Sequence, residues 1–456
     1  MKVLLIFPPQ NLKARYSHNI GNVGGFLPPL GLCYMAAVLE KAKHEVRIMD
    51  CPVNDYRINH IMDEINSFKP EVVGLAAITS LAKVTKGICT EIKKQSPNIT
   101  IMIGGPHATI MPKEVAKEME VDIVLVDEAD NKIVEILEDL PKYKKEKIVE
   151  CEKVKDLNVL PYPARHLLDM KKYTSLPNAY KTTPYVTHMV TSRGCPYTCT
   201  FCFDALGKFR QRSVENVIGE IKLMQKEYGV KEIAFWDDIL TLNKDWTHKL
   251  CDALEKEKIV WSCYTRLNLV DLPLLKHMKK AGCWNIFYGI ESGDDELLKN
   301  IRKMMTVDQM KQSIRWTQEA GIEIRGSFMI GLPGETPEKA QKTIDLAIEL
   351  EPDYAQFSIT TPYPGTQLWD SYEKWGTLDK SFEDYHGWSP VFVPHGYKDR
   401  KELMAMHKKA FRQFYMRPKY MIKRLSKIKS WNDIKRNMQG AKVVLGMLKK
   451  EKSSGF

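Results

Sequence analysis

The sequence has no run approaching the ~20 apolar residues needed to cross a bilayer as a helix. It contains neither G-x-x-x-x-G-K-[ST] nor G-x-G-x-x-G, so the two common phosphate cradles are missing. Its start, MKVLLIFPPQ, has one lysine and a short apolar run before a double proline. That is too short for a signal-peptide core and predicts a first β-strand in a soluble, cytoplasmic chain. Cysteine is sparse. Of the ten, those at 33, 51, 89, 151, 251, 263 and 283 stand alone, which excludes a disulfide-dense scaffold and predicts reduced, buried side chains. Charge excess is confined to one end. From Lys398 onward there are 18 Lys+Arg and 4 Asp+Glu, a net +14, so residues 1–397 carry −3 of the total +11.

What is present divides into segments. Residues 1–140 alternate strand and helix signals, with strands at VLLIF (3–7), EVRIM (45–49), VVGLAA (72–77), ITIMIGG (99–105) and VDIVLV (121–126). Five strands with intervening helices predict a doubly wound parallel sheet of Rossmann type, whose ligands sit at the carboxyl ends of the strands. Those ends include Asp50, Ser80, Gly104 and Gly105. Residues 141–180, with KYKKEK and LPYPARHLL, are expected to form a connector. Residues 181–370 restart the alternation, with strands near 185–192, 232–236, 259–264, 284–290, 323–331 and 354–360. Six β/α units in succession predict a partial (β/α)6 barrel related to the TIM fold, with its site at the C-terminal strand ends. Residues 371–456 show no strand signal and become helical and basic from about 400.

After the first barrel strand comes TSRGCPYTCTFC, which spaces Cys195, Cys199 and Cys202 as Cys-x3-Cys-x2-Cys. Zinc normally wants four ligands in paired knuckles. No second pair follows here, and the next forty residues contain no histidine. Three thiolates without a fourth suit a [4Fe–4S] cube with one iron open to a small ligand. With Phe201 before the last cysteine, the motif resembles that of the radical S-adenosylmethionine enzymes. The resemblance implies that the open iron chelates S-adenosylmethionine. One electron then cleaves the sulfonium bond, and the resulting 5′-deoxyadenosyl radical abstracts hydrogen from an unactivated carbon.

The resemblance assigns further roles. Glu291 in GIESG and Asp237 and Asp238 in FWDD are expected near adenosylmethionine. For the two aspartates, helix capping before residue 244 is the competing reading. Arg266 in YTRLN is expected to meet the cofactor carboxylate or a substrate. MIGLPGET (329–336), with Glu335 and Thr336, is a turn into a helix whose amides face either adenine or solvent. No residue is singled out as catalytic. The first domain, through IMDCPV, IMIGGPHAT and VDIVLVDEAD, is similar to the cobalamin-binding domain of the cobalamin-dependent members, which implies cobalamin near Asp50, Ser80, Gly104 and Gly105. Two departures stand out. The Asp-x-His-x-x-Gly loop that supplies a cobalt ligand is replaced by Asp50-Cys51-Pro52-Val53-Asn54, without histidine, and VDEAD replaces a glycine-containing turn.

The implied reaction is methylation of an unactivated carbon, with methylcobalamin as methyl donor and two adenosylmethionines consumed per turnover. Oxidative ring formation or rearrangement without methyl transfer, as in the anaerobic porphyrin-ring cyclases, is the alternative. A methylthiotransferase and a non-enzymatic cluster protein rank lower. The implied partners are a small-molecule or lipid substrate and an external electron donor of flavodoxin or ferredoxin type. The basic C-terminal region, mixing Lys/Arg with Met, Phe, Tyr, Leu and Ile, reads as solvated helices beside the barrel or as a peripheral membrane contact. Nucleic acid ranks behind both.

Overall fold

The computed structural model describes residues 1–10, 25–176, 178–182, 186–203, 207–382 and 384–448. Tyr185, at the start of one expected strand, Pro177 of the connector and residues 449–456 of the basic tail lie outside the described residues. The chain forms two compact units. The first comprises the described residues 1–10, 26–173 and 207–213, and the second comprises residue 25 with the described residues of 174–203 and 214–448.

The first unit is a six-stranded parallel sheet of β1 (Lys2–Phe7), β2 (Glu45–Asp50), β3 (Val72–Ala76), β4 (Thr100–Gly104), β5 (Ile123–Val126) and β6 (Ile148–Glu150). Their order is β2-β1-β3-β4-β5-β6, which reverses direction between β1 and β3 and so creates a crevice there at the carboxyl ends. The strands are apolar on both faces because both faces are covered. Leu4 and Ile6 pack with Ile61, Ile65, Ile88 and Ile92, from helices α1 (Ile58–Phe68) and α2 (Ala82–Gln95). Val3 and Leu5 pack on the other face with Ala36, Leu39 and Ile136.

In the second unit, β7 (Thr187–Met189), β8 (Glu232–Phe235), β9 (Val260–Thr265), β10 (Cys283–Glu291), β11 (Glu323–Ile330) and β12 (Tyr354–Ile359) pair in parallel and in sequential order. This is the open six-stranded barrel wall expected from the repeating units. Ile286, Tyr288 and Ile290 of β10 join the core under the helices, together with Ile324, Phe328 and Ile330 of β11. The alternate residues face the other way, into the barrel. The helices between strands begin where the sequence offers caps. Asn243, Asp271 and Thr336 accept from the amides of Trp246, Leu274 and Lys339, opening α3 (Lys244–Glu257), α4 (Leu272–Lys280) and α7 (Pro337–Leu350). Between them, α5 (Asp295–Asn300) starts at Asp294 and α6 (Val307–Glu319) starts in a capping box of Thr306 and Gln309.

Two features depart from the sequence expectation. The stretch expected to be a connector contains β6, which pairs with β5 and extends the first sheet to six strands. The segment expected to lack strands contains an antiparallel pair, β13 (Gly376–Leu378) and β14 (Phe392–Pro394). Each of these strands is three residues long, too short to display a period of two, and β6 follows directly on a lysine-rich run. Beyond them lie α8 (Arg400–Tyr415), α9 (Pro418–Ser426) and α10 (Trp431–Leu448). Tyr415 and Tyr420 fix these helices to β12 and its entry through the carbonyls of Ala355 (2.7 Å) and Asp353 (3.0 Å).

The turn leaving β11 is braced by Glu335, which is fully buried. Its Oε1 accepts from the Tyr397 hydroxyl at 2.7 Å and the Gly331 amide at 2.5 Å. Burial pushes its carboxyl up to about 7, although these bonds pull the other way. A carboxyl with a raised folded pKa contributes stability that is fully present below its unfolded value and is lost as pH rises through the folded value. Unfolding free energy is therefore expected to decline between roughly pH 4.5 and 7 because of this group. Glu335→Gln keeps the accepting oxygen. It should flatten that decline and stabilise the chain at pH 8 by on the order of 1–3 kcal/mol, as read by denaturant melts of both proteins from pH 5 to 8.

Candidate active site

The cysteine turn is fastened at its start by a buried carboxylate. Asp237, just past β8, accepts through Oδ1 from the Thr191 amide (2.9 Å), the Thr191 hydroxyl (2.8 Å) and the Ser192 hydroxyl (2.5 Å). Its Oδ2 is buried with no hydrogen-bond partner among the described residues. Burial pushes Asp237 up to about 6, with the Ser192 and Thr191 bonds opposing. It caps no helix. Asp238, next in sequence, is exposed.

The seven solitary cysteines are all buried, and burial pushes Cys33, Cys51 and Cys89 up to about 12. Cys195 and Cys199 are half-buried and Cys202 is exposed, all three free of disulfide. The Cys202 amide closes a turn onto the Cys199 carbonyl (3.0 Å). The Thr200 amide donates to the Ile301 carbonyl (3.1 Å), and the Leu368 amide donates to the Thr200 carbonyl (2.8 Å). Arg266, just past β9, donates from Nη1 to Cys199 Sγ (3.5 Å) and from Nη2 to the Lys303 carbonyl. Its guanidinium also lies 3.7 Å from the Tyr197 ring centroid. Among the described residues, no three His, Cys, Asp or Glu side chains converge on a point fit for one metal ion. A four-iron cube needs no such convergence, because each thiolate binds a different corner. Three accessible thiols along one fastened turn fit that donor set, and they do not fit a lone zinc.

Glu291 ends β10 with a φ of +69°, a left-handed conformation uncommon for a side chain this long. The register with β11 shifts just before it. Its Oε1 meets Lys303 Nζ at 2.9 Å, and both side chains are nearly fully buried. The missing side chain at Gly289 leaves room for this pair, since a Cβ there would press on Glu291 Oε1 and Lys303 Nζ and one of the two would have to shift. The turn thus brings together Cys199, Arg266, Lys303 and Glu291.

Sequence reading missed Lys303 and the barrel lining. Across adjacent strands runs a stripe of rings. His188 and Trp236 have centroids 5.1 Å apart, Trp236 and Tyr264 5.6 Å, and Tyr264 and Phe287 4.8 Å. Trp236 is 42% exposed. Arg325 of β11 ends the stripe 4.8 Å from the Phe287 centroid. It donates to neutral oxygens only, the Tyr264 hydroxyl (3.0 Å) and the Asn178 carbonyl (3.3 Å), while its Nε is buried without a hydrogen-bond partner among the described residues. The signal that would have found it is a charge on the inward side of EIRGSFMI, opposite Ile324, Phe328 and Ile330.

In the first unit the side chain of Asp50 turns inward. Asp50 is buried and its Oδ2 accepts from the Tyr173 hydroxyl at 2.8 Å. Cys51 is fully buried as well. That turn supplies no side chain to cobalt, so the strand ends fit a cobalamin held without a protein ligand from this loop. Ser80 is half-buried in a single turn after β3. Gly105, at φ +105°, answers to the protein itself, since a Cβ there would meet the Ala77 carbonyl at 2.9 Å. At Gly104 a Cβ would touch only Leu125, at an ordinary 3.6 Å. Glu128 of VDEAD is gripped from two sides by Arg210, at 2.5 and 2.9 Å.

Family models for the B12 binding domain and the radical SAM superfamily match residues 16–137 and 189–347. By fold, the chain is similar to the radical S-adenosylmethionine methyltransferase TsrM from Kitasatospora setae, solved with cobalamin and a [4Fe-4S] cluster. The TM-score is 0.67 at 15% identity, covering 98% of each chain. By sequence, it is 26% identical to an anaerobic magnesium-protoporphyrin IX monomethyl ester cyclase of Rubrivivax gelatinosus, over 100% of this chain and 83% of the relative. It is 33% identical to an uncharacterized methyltransferase of Pyrococcus horikoshii, over 93% of this chain and 94% of the relative. Similarity at that level along both units in the same order means that the chain belongs to the B12-binding radical S-adenosylmethionine enzyme family.

Proposed function

We propose that the chain is a cobalamin-dependent radical S-adenosylmethionine methyltransferase acting on an unactivated carbon of a small-molecule or lipid substrate. The observation that carries this is the fastened turn of three accessible thiols, joined through Arg266 to the loop that neutralises Glu291. Cys195, Cys199 and Cys202 hold three irons of a [4Fe–4S] cluster. When bound, the cluster supplies the electron that splits adenosylmethionine, and cobalamin supplies the methyl group.

The remaining steps belong to side chains. Glu291, its charge balanced by Lys303, presents a carboxylate to adenosylmethionine at the β10 end. Asp237 uses one oxygen to hold the cysteine turn, which leaves Oδ2 to accept from the cofactor ammonium, with Asp238 at the exposed rim. Arg266 donates to Cys199, and hydrogen bonds to cluster sulfurs are one lever on reduction potential. Trp236, Tyr264 and Phe287, inclined to one another, offer an apolar aromatic stripe to the substrate body, and Arg325 offers it a cation. In the first unit, Asp50 shapes its turn from within, while Ser80, Gly104 and Gly105 border the cobalamin crevice. A flavodoxin- or ferredoxin-type donor supplies electrons, and the basic C-terminal region makes a peripheral membrane contact. Oxidative cyclisation is the second reading, favoured by the 26% identity along the whole chain to the anaerobic magnesium-protoporphyrin IX monomethyl ester cyclase.

Two outcomes test this. Anaerobically reconstituted, reduced protein given hydroxocobalamin and adenosylmethionine, with extracts of reducing cells as substrate source, should release deoxyadenosine and adenosylhomocysteine in about equal amounts. Deoxyadenosine alone would favour the cyclase reading. Replacing all three cysteines with alanine should abolish both products and reduce bound iron to background in elemental analysis. For the Glu291–Lys303 pair, Lys303→Met leaves a buried carboxylate without its counter-charge and should cost about 3–5 kcal/mol. Glu291→Gln in the same chain should restore most of that stability while leaving adenosylmethionine binding, read by equilibrium dialysis, at least tenfold weaker than wild type.

A further inference from the structure

Exposed apolar side chains are normal when scattered singly. Here half of the exposed large apolar side chains among the described residues fall between Met416 and Leu445. Over residues 416–448 the sequence carries nine Lys+Arg and a single acidic residue, Asp433, which pairs with Arg436 at 3.1 Å.

The two helices of this stretch are arranged as inner and outer faces. Arg424 of α9 and Arg436 of α10 are buried and point inward. Arg424 donates to the Tyr354 hydroxyl (2.6 Å) and Arg436 to the Tyr180 carbonyl (3.0 Å). Their charge is engaged by the second unit. On α10, Trp431, Lys435, Met438, Lys442 and Leu445 recur at intervals of four and three, which places them in one stripe. Trp431, Met438 and Leu445 are 68%, 59% and 54% exposed. At 1.5 Å per residue that stripe is about 21 Å long. On α9, Met421, Ile422 and Leu425 share an exposed face, with Ile422 at 67%. Beside Ile422 opens a cavity of about 310 Å³, lined by Arg417, Lys419, Lys423 and Glu351 and positive on balance.

The composition selects the occupant. Lysine is depleted from the cores of protein interfaces, yet here it alternates with apolar residues within the stripe. Nucleic acid would use the lysines but leaves Trp431, Met438 and Leu445 without a role. A lipid surface uses both, because lysine stems lie along apolar ground while their ammonium groups reach upward to phosphate. No helix among the described residues is long and apolar enough to cross a membrane, so the contact is with the surface.

We propose that the outer faces of α9 and α10 dock the chain on an anionic bilayer. Trp431, Met438 and Leu445 enter the interfacial region, and Lys435 and Lys442 engage lipid phosphates. The proposal rests on the peripheral-membrane reading of the basic C-terminal region and assigns the face responsible. The test is flotation of the full chain with vesicles of phosphatidylglycerol and phosphatidylcholine, and with vesicles of phosphatidylcholine alone. Wild type should float with the anionic vesicles, release as salt is raised, and stay behind with the neutral ones. Each lysine is worth about fivefold in partition, so Lys435→Glu with Lys442→Glu should weaken binding at least twentyfold. Trp431→Ser with Met438→Ser and Leu445→Ser should weaken it at least tenfold. Both variants should keep the wild-type melting temperature, since these side chains are exposed. Wild type that fails to float removes the peripheral reading and this assignment with it. Wild type that floats no better than either variant leaves that reading standing and overturns the choice of face. Loss of a dimer in the apolar variant by size exclusion, without vesicle binding by wild type, would give the face to a second copy instead.

Discussion

The site depends on one guanidinium. Arg266 donates to the sulfur of Cys199, to the carbonyl of Lys303 and, through Nε, to Asn268 Oδ1 at 3.3 Å, while stacking on Tyr197. Lys303 in turn pairs with Glu291. A planar fork with five fixed donors can serve three acceptors in different directions at once, and a lysine ammonium cannot hold the same directions. The cysteine turn and the end of β10 are therefore held as one piece. The left-handed backbone of Glu291 costs on the order of 1–3 kcal/mol and persists only when its surroundings over-determine it. Lys303, the bare Cα of Gly289 and the register shift against β11 do so together. A cofactor held by both the cluster and Glu291 would thus meet two groups whose separation is set before it arrives, which is the condition for binding energy to be spent on orientation.

Buried carboxyls do the bracing elsewhere at the strand ends, and their chemistry differs from that of Glu291. Asp237 and Glu335 each use one oxygen to accept from amides and hydroxyls of a turn, and burial raises both. Among the described residues neither forms an ion pair with a cation. Glu291 has one, in Lys303. The difference sorts their roles. A buried carboxyl with a raised pKa favours its neutral form more than usual and serves as a hydrogen-bonding strut, whereas Glu291 has an ammonium beside it to offset a negative charge. Asp237 differs from Glu335 in its location, beside the start of the cysteine turn, where its second oxygen has no hydrogen-bond partner among the described residues.

Much of this was legible because it is local. The spacing of Cys195, Cys199 and Cys202 lies within eight residues, and the barrel helices start at caps three residues from the amides they serve. Apolar strand runs alternating with helical periodicity gave both sheets their element order. What escaped was non-local or short. Lys303 reaches Glu291 from twelve residues away across α5, with nothing in NIRKMM to announce it. Tyr264 and Phe287 sit on β9 and β10 and Trp236 just past β8, and their rings become neighbours only once those strands pair. β6, β13 and β14 are too short to show a period. The close backbone approach expected at Gly105 is present, and within the protein its neighbour is Ala77.

The departures from the expected cobalamin motifs have a structural answer in the first unit. At the first, Asp50 has turned inward to Tyr173, so the loop that would supply a histidine has become part of the core. At the second, Glu128 stands where a glycine-containing turn was expected, and its side chain receives both arms of Arg210 and the Val154 amide at 3.1 Å. A two-pronged pair this buried is strongly destabilising to break from one side. Residues 207–213 follow the cysteine turn in sequence yet fold with the first unit. The Glu128–Arg210 pair helps to anchor them there, together with the Ser213 amide on Asn158 Oδ1 (2.8 Å) and a weaker bond from Arg212 to the Tyr34 hydroxyl (3.4 Å). Glu128 of VDEAD is therefore a structural residue of the first unit, and its loss would take from Arg210 both of its carboxylate contacts.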